Sequence, residues 1–273
     1  MAVPFTPSEH NALTLNSIGL GGTAFPAWAE VTTTGSVTSL HFGAIQLQDF
    51  ADLVFNHDAV FVYDVGHYSL IDEPDGTLVM RTLKAVGEEH GITTLGGEDD
   101  EVLWSGADLQ HFAREQYQYQ LSALGVTDPN VDLADLWVRA TSTNWADGDK
   151  ILASTPEADV YVDIHDNCYA YVEVRDAELV NDLVARLLWL ATATAAFRAG
   201  LPAPPLPPGH DVVDACLGPN NMFFAGMGKH TSTDDTVVVP YSHSKAKVFD
   251  AKPPPTHRLQ FHADSGWAVT ADG

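Results

Sequence analysis

Asp159-Val-Tyr-Val-Asp-Ile-His165, Asp166-Asn167, Cys168-Tyr-Ala-Tyr-Val-Glu-Val174 and the apolar run that follows to Gly200 decide the fold. Val160, Val162 and Ile164 alternate with Tyr161, Asp163 and His165, the period of a strand with one apolar and one wet face. Asp166-Asn167 tolerate the left-handed conformations of a tight turn, and Cys168, Ala170, Val172 and Val174 resume the alternation on the return strand. An antiparallel hairpin is expected. Asp176 then stands as an N-cap, Glu178 falls in the positive first turn, and Gly200 is a C-terminal stop. Between them Leu183, Val184, Leu187, Leu188, Leu190 and Ala191 leave little polar surface, which predicts a long helix covered by other elements.

Working back from the hairpin, residues 144–156 are polar and read as a connector. Leu133, Leu136, Trp137 and Ala140 form the stripe of a helix restarted at Asp128-Pro129. Ser105 with Asp108 is a variant capping box, opening a helix through Leu109, Phe112, Ala113, Tyr117 and Leu121 to Gly125. Upstream, the Asp75 or Thr77 cap predicts a helix to Glu89, with Gly91 as its stop and a strand over Ile92–Leu95. Ala59 to Val65 reads as a buried strand, and the spacing of Ile45, Leu47, Phe50, Leu53 and Val54 as helical. Residues 1–42 are an irregular arm with one or two strands. Downstream, five prolines between Leu201 and Gly209 forbid helix or central strand and predict a stiff polyproline crossing. Short strands are expected at Val237, Arg258–Phe261 and Trp267–Thr270. The expected class is α+β. Residues 1–155 form an α/β-like portion and 156–273 a hairpin–helix portion, as two units or one continuous domain.

Charge separates the function classes. Thirteen bases face 37 acids, for a net −24, and no Lys or Arg precedes Arg81. Residues 43–200 hold 28 of the acids and 8 of the bases; residues 201–273 hold 7 and 5. A duplex or an anionic membrane would be repelled by the middle segment. No apolar run is long and clean enough to span a bilayer, no secretory signal is visible at the N-terminus, and Cys168 and Cys216 build no disulfide framework. Reduced, cytoplasmic residence is the expectation. The acidity itself reads either as solubility in an acidic proteome or as a face complementary to a basic partner.

Motifs for chemistry are incomplete. His57-Asp58, His165-Asp166 and His210-Asp211 supply the donor types of a hydrolytic divalent-metal site, but no close ligand pair such as H-E-x-x-H accompanies them. His230, His243, His257 and His262 have spacings that match no metal family. Asp147-Gly-Asp149 lacks the ligand spacing of a calcium loop, and Gly19-Leu-Gly-Gly22 is followed by neither lysine nor helix. No nucleophile elbow or C-x-x-C occurs. The acidic run Glu98, Asp99, Asp100 and Glu101 beside Trp104 pairs four charges with an aromatic and reads as a partner-docking patch. The leading expectation is a non-enzymatic acidic protein that binds a basic protein, of the immunity or assembly type. The rivals are a metal-dependent hydrolase assembled from those distant His and Asp residues, and a structural subunit of a larger assembly.

Overall fold

The computed structural model describes residues 11–15, 28–43, 47–63, 68–69, 79–80, 82–98, 100–115, 120–143, 149–165, 169–186, 189, 205, 231–233, 236–244, 257–262 and 266–271. The fold is α+β. Seven strands make its central sheet: β2 (Trp28–Thr34), β3 (Val37–Gly43), β4 (Ala59–Tyr63), β7 (Glu101–Trp104), β8 (Leu121–Val126), β9 (Ala158–His165) and β10 (Tyr169–Val174). Their order is β2-β3-β10-β9-β8-β4-β7, with every neighbouring pair antiparallel. Beyond β2 the ladder continues through β1 (Asn11–Leu15), β12 (Thr236–Ser244), β13 (His257–His262) and β14 (Gly266–Ala271). β11 (Thr231–Thr233) pairs with β12, and β5 (Tyr68–Ser69) with β6 (Val79–Met80).

The hairpin forms as its alternation requires, with Tyr169 opposite His165 and Val174 opposite Val160. Its turn, including Asp166, Asn167 and Cys168, lies outside the described residues. β9 and β10 stand between β3 and β8, so strands from both sides of position 155 share one sheet. Helix follows at 177–186, and the Glu178 N–H donates to Asp176 Oδ1 at 2.8 Å, the cap expected there. Of the expected continuation to Gly200 only Trp189 is described, helical and buried; of the polyproline crossing only Pro205 is, and Cys216 lies outside the described residues.

The inner face of the hairpin packs as read: Val160, Val162, Ile164, Ala170, Val172 and Val174 join Val60, Val62, Val102, Leu121 and Ala123 in one core. α1 (Ala51–Val54), α2 (Leu83–Glu89), α3 (Gly106–Glu115) and the 177–186 helix cover this face. Arg186 locks the last of these onto α1. It is 2% exposed, donates to the Asp52 carboxylate at 2.8 and 3.1 Å, and donates to the Asp49 carbonyl at 3.0 Å.

The second face corrects the sequence reading. It was expected to be wet, yet Tyr161 is 1% exposed. α4 (Leu133–Thr141) and α5 (Ile151–Ser154) lie over it, and their Leu136, Ala140, Ile151 and Leu152 pack with Ala59, Phe61, Leu103, Leu124 and Tyr161. α5 occupies part of the expected connector. Alternation tells which residues share a face, not whether a helix from elsewhere covers it.

Other boundaries move for local reasons. Ser105 does cap α3: its Oγ accepts the Asp108 N–H at 3.1 Å and donates to Asp108 Oδ2 at 2.6 Å. But Leu121 to Val126 is strand, buried at all six positions between β4 and β9, where a short apolar run has no period of its own. α4 starts after Asp132, which accepts the Asp135 N–H, not at Asp128-Pro129. α2 is capped by Thr82 and stopped at Gly91, where φ is +71°. Residues 92–95 make no strand; only Gly96 bridges to Leu103.

Candidate functional site

Leu95 and Gly96 lie along the outer side of β7, the last strand of the sheet. The Leu95 N–H donates to the Leu103 carbonyl at 2.7 Å, and the Leu103 N–H to the Gly96 carbonyl at 3.0 Å. The chain reverses between them, and Gly97 takes φ +92°, where a Cβ would collide with the Glu101 carbonyl. Glu98 and Asp100 are exposed on this turn, Glu101 is half-buried at the start of β7, and Asp99 lies outside the described residues. The acidic run is thus a solvated hairpin tip at a sheet edge.

Trp104 does not stand beside it on the surface. It is fully buried, edge-on to Phe112 at 5.3 Å between ring centroids, and so close to Gly87 that a Cβ there would sit 2.9 Å from Cζ2. The even positions of β7 face the α2–α3 core, which turns Val102 and Trp104 inward. The aromatic at this edge is Trp137. A Cβ on Gly96 would lie 3.3 Å from Leu133 Cδ1, which puts the start of α4 against the acidic turn. Trp137 follows Leu133 by one helical turn on the same side of α4. Leu95 is 54%, Trp137 37% and Val138 53% exposed. Arg139 lies on the other flank of α4, held by Asp135 at 2.8 Å and by a two-point contact with Glu157 at 2.9 Å. This engagement holds the Glu157 carboxyl below its ordinary range, chiefly through the Arg139 hydrogen bonds.

The histidine–aspartate pairs are dispersed. Asp58 is exposed. The half-buried His57 ring packs on Gly125, with Nε2 3.8 Å from the Asp159 carboxylate and Nδ1 buried without a hydrogen-bond partner. His57 therefore sits at the start of β9, whereas His165 ends it, six residues or roughly 20 Å further on. That span is too long for one ion. Asp166, His210 and Asp211 are outside the described residues. Among the described residues no group of three or more His, Cys, Asp or Glu is placed to hold a metal.

A polar cluster lies under α5. Lys150 Nζ donates to Ser39 Oγ at 2.9 Å and to Tyr171 Oη at 3.1 Å. Tyr171 Oη donates to Glu173 Oε1 at 2.8 Å, and the Glu173 carboxylate accepts the N–H groups of Ile151 and Leu152 at 3.2 and 2.8 Å. Lys150 is the N-cap residue of α5 but makes no side-chain cap bond; Glu173, reaching up from β10, does that work. Burial raises the Tyr161 and Tyr171 hydroxyls well above the ordinary phenol range, with Glu173 adding to the shift at Tyr171. Burial lowers His41, edge-on to Tyr171, to about 4. A serine beside a lysine has the outline of a nucleophile–base pair. Here the ammonium is committed to Ser39 and Tyr171 and faces the Glu173 carboxylate through the phenol, so the cluster acts as a strut between helix and sheet. Its signal was present in the sequence: Ser39 and His41, like Tyr171 and Glu173, are polar residues at period two.

No helix among the described residues is long and apolar enough to cross a membrane. No family model matches this chain, and no curated protein and no solved structure matches it.

Proposed function

We propose that this chain is a non-enzymatic, cytoplasmic binding protein whose acidic surface docks a protein with a basic surface, as an immunity or assembly component does. The observation that carries this reading is the net −24, concentrated in residues 43–200. Its acids are placed to be felt from outside: Glu88, Glu89, Glu98, Asp100, Asp128, Asp132, Asp135, Asp176, Glu178 and Asp182 are all exposed. Such a field accelerates encounter with a cationic partner, repels nucleic acid and anionic membrane, and weakens as salt rises.

The test is affinity capture from the source cells at low ionic strength, followed by calorimetry of each hit against the purified chain across a salt titration. The expected outcome is a basic protein that binds stoichiometrically, with affinity falling as salt increases. Partners without basic bias, or an affinity indifferent to salt, would overturn the proposal.

A further inference from the structure

We infer that the contact is anchored on the apolar step formed by Leu95, Leu133 and Trp137, and that its occupant is a cationic polypeptide segment presenting one bulky apolar side chain among Lys or Arg. The inference rests on the binding reading above and adds where the partner sits and what it must carry. Three observations converge on this step. Leu95 and Trp137 are two of the three large apolar side chains exposed among the described residues. Leu133 lies against Gly96, so strand edge and helix flank meet there. The hairpin tip with exposed Glu98 and Asp100 begins immediately after Gly96, and exposed Asp132 caps the helix that carries Trp137. Arg139, the base on α4, is turned to the opposite flank and already bound to Asp135 and Glu157. An aromatic with aliphatic neighbours inside a charged rim is the usual make-up of an interface anchor. The sign of the rim selects the occupant: a second copy of this chain would set the same acids against one another, whereas a cationic segment satisfies them.

Two fluorescein-labelled synthetic peptides test the inference by anisotropy against the full chain. Both are Lys-rich; one carries a central Leu, the other Ser in its place. The Leu peptide is expected to bind about tenfold more tightly, in line with burial of one aliphatic side chain. Trp137→Ser is expected to erase that preference while leaving the circular dichroism unchanged, and Leu95→Ser, at a second exposed position, to do the same. The double variant Glu98→Gln/Asp100→Asn is expected to weaken both peptides and flatten their salt dependence. Equal affinity for the two peptides, or a Leu preference that survives both Ser variants, overturns the anchor. Self-association of the chain that Trp137→Ser abolishes also overturns it, by naming a second copy as the occupant. If the peptides bind equally and salt-dependently, the anchor fails while the basic-partner proposal stands; if neither binds at low salt, both fail.

Discussion

Glu173→Gln measures how much of the fold hangs on the strut beneath α5. The wild-type carboxylate accepts from three donors, the N–H groups of Ile151 and Leu152 and the Tyr171 hydroxyl. Glu173 is 1% exposed, so water is not at hand to replace it. A glutamine has one acceptor oxygen and an amide that only donates. Whichever way it turns, at least one of the three donors faces a donor. One buried donor left without a partner costs about 1–3 kcal/mol, and the surviving bonds lose their charge assistance. The expected loss is therefore about 3 kcal/mol. Urea denaturation followed by far-UV circular dichroism and tryptophan fluorescence reads it directly. The midpoint should fall by about 1 M with the slope unchanged. Tyr171→Phe is the control: it removes one donor to the carboxylate and one acceptor of Lys150, which keeps Ser39, leaves both backbone bonds intact, and should cost about 1–2 kcal/mol. A Glu173→Gln protein within roughly 0.5 kcal/mol of wild type would refute the argument, because the helix terminus would then be satisfied without the carboxylate.

Two further outcomes follow from buried charge and buried imidazole. Arg186→Met strands the Asp52 carboxylate and the Asp49 carbonyl beneath the 177–186 helix; a loss of about 3–5 kcal/mol is expected in the same urea assay, whereas a neutral result would mean the pair is not buried in solution. His41 is lowered from 6.5 to about 4, so the unfolded chain binds a proton across that window and the folded one does not. Its contribution to stability is whole above pH 6.5 and is lost as pH falls toward 4, about 2 kcal/mol for a partly hydrated ring. Urea midpoints measured from pH 7 to 4 should fall less steeply for His41→Phe than for wild type; parallel slopes would contradict the assignment.

The sequence carried the centre of this fold and little of its periphery. The 158–174 hairpin was legible because apolar residues recur at period two along both strands, and the Asp176 and Ser105 caps because their side chains act within their own turn. β8 is not legible as a strand because Leu121-Ser-Ala-Leu-Gly-Val is apolar enough to be buried on both faces, and its neighbours β4 and β9 lie far away in the chain. The acidic edge shows the same division. Glu98, Asp99, Asp100 and Glu101 are legible as a local run, whereas Trp104, their neighbour in sequence, is buried. Trp137, some forty positions away along the chain, is the one that reaches the surface at that edge. Which tryptophan turns inward depends on the pairing of β7 with β4, a relation no local pattern encodes.

The insertion of β9 and β10 between β3 and β8 also sets the order in which the chain completes itself. β3 is finished at residue 43, and its partner β10 only at residue 174. At roughly ten residues per second of synthesis, the interval is on the order of ten seconds. Through that interval β3 presents an open edge, and β8, finished at residue 126, presents another until β9 follows at Ala158–His165; open edges recruit foreign strands. The hairpin is thus a closing piece that arrives late, and closing over so long a loop slows the final step. Substitutions that weaken the pairing of β9 with β10 should therefore lower the soluble yield from cells before they lower the measured stability of the folded protein.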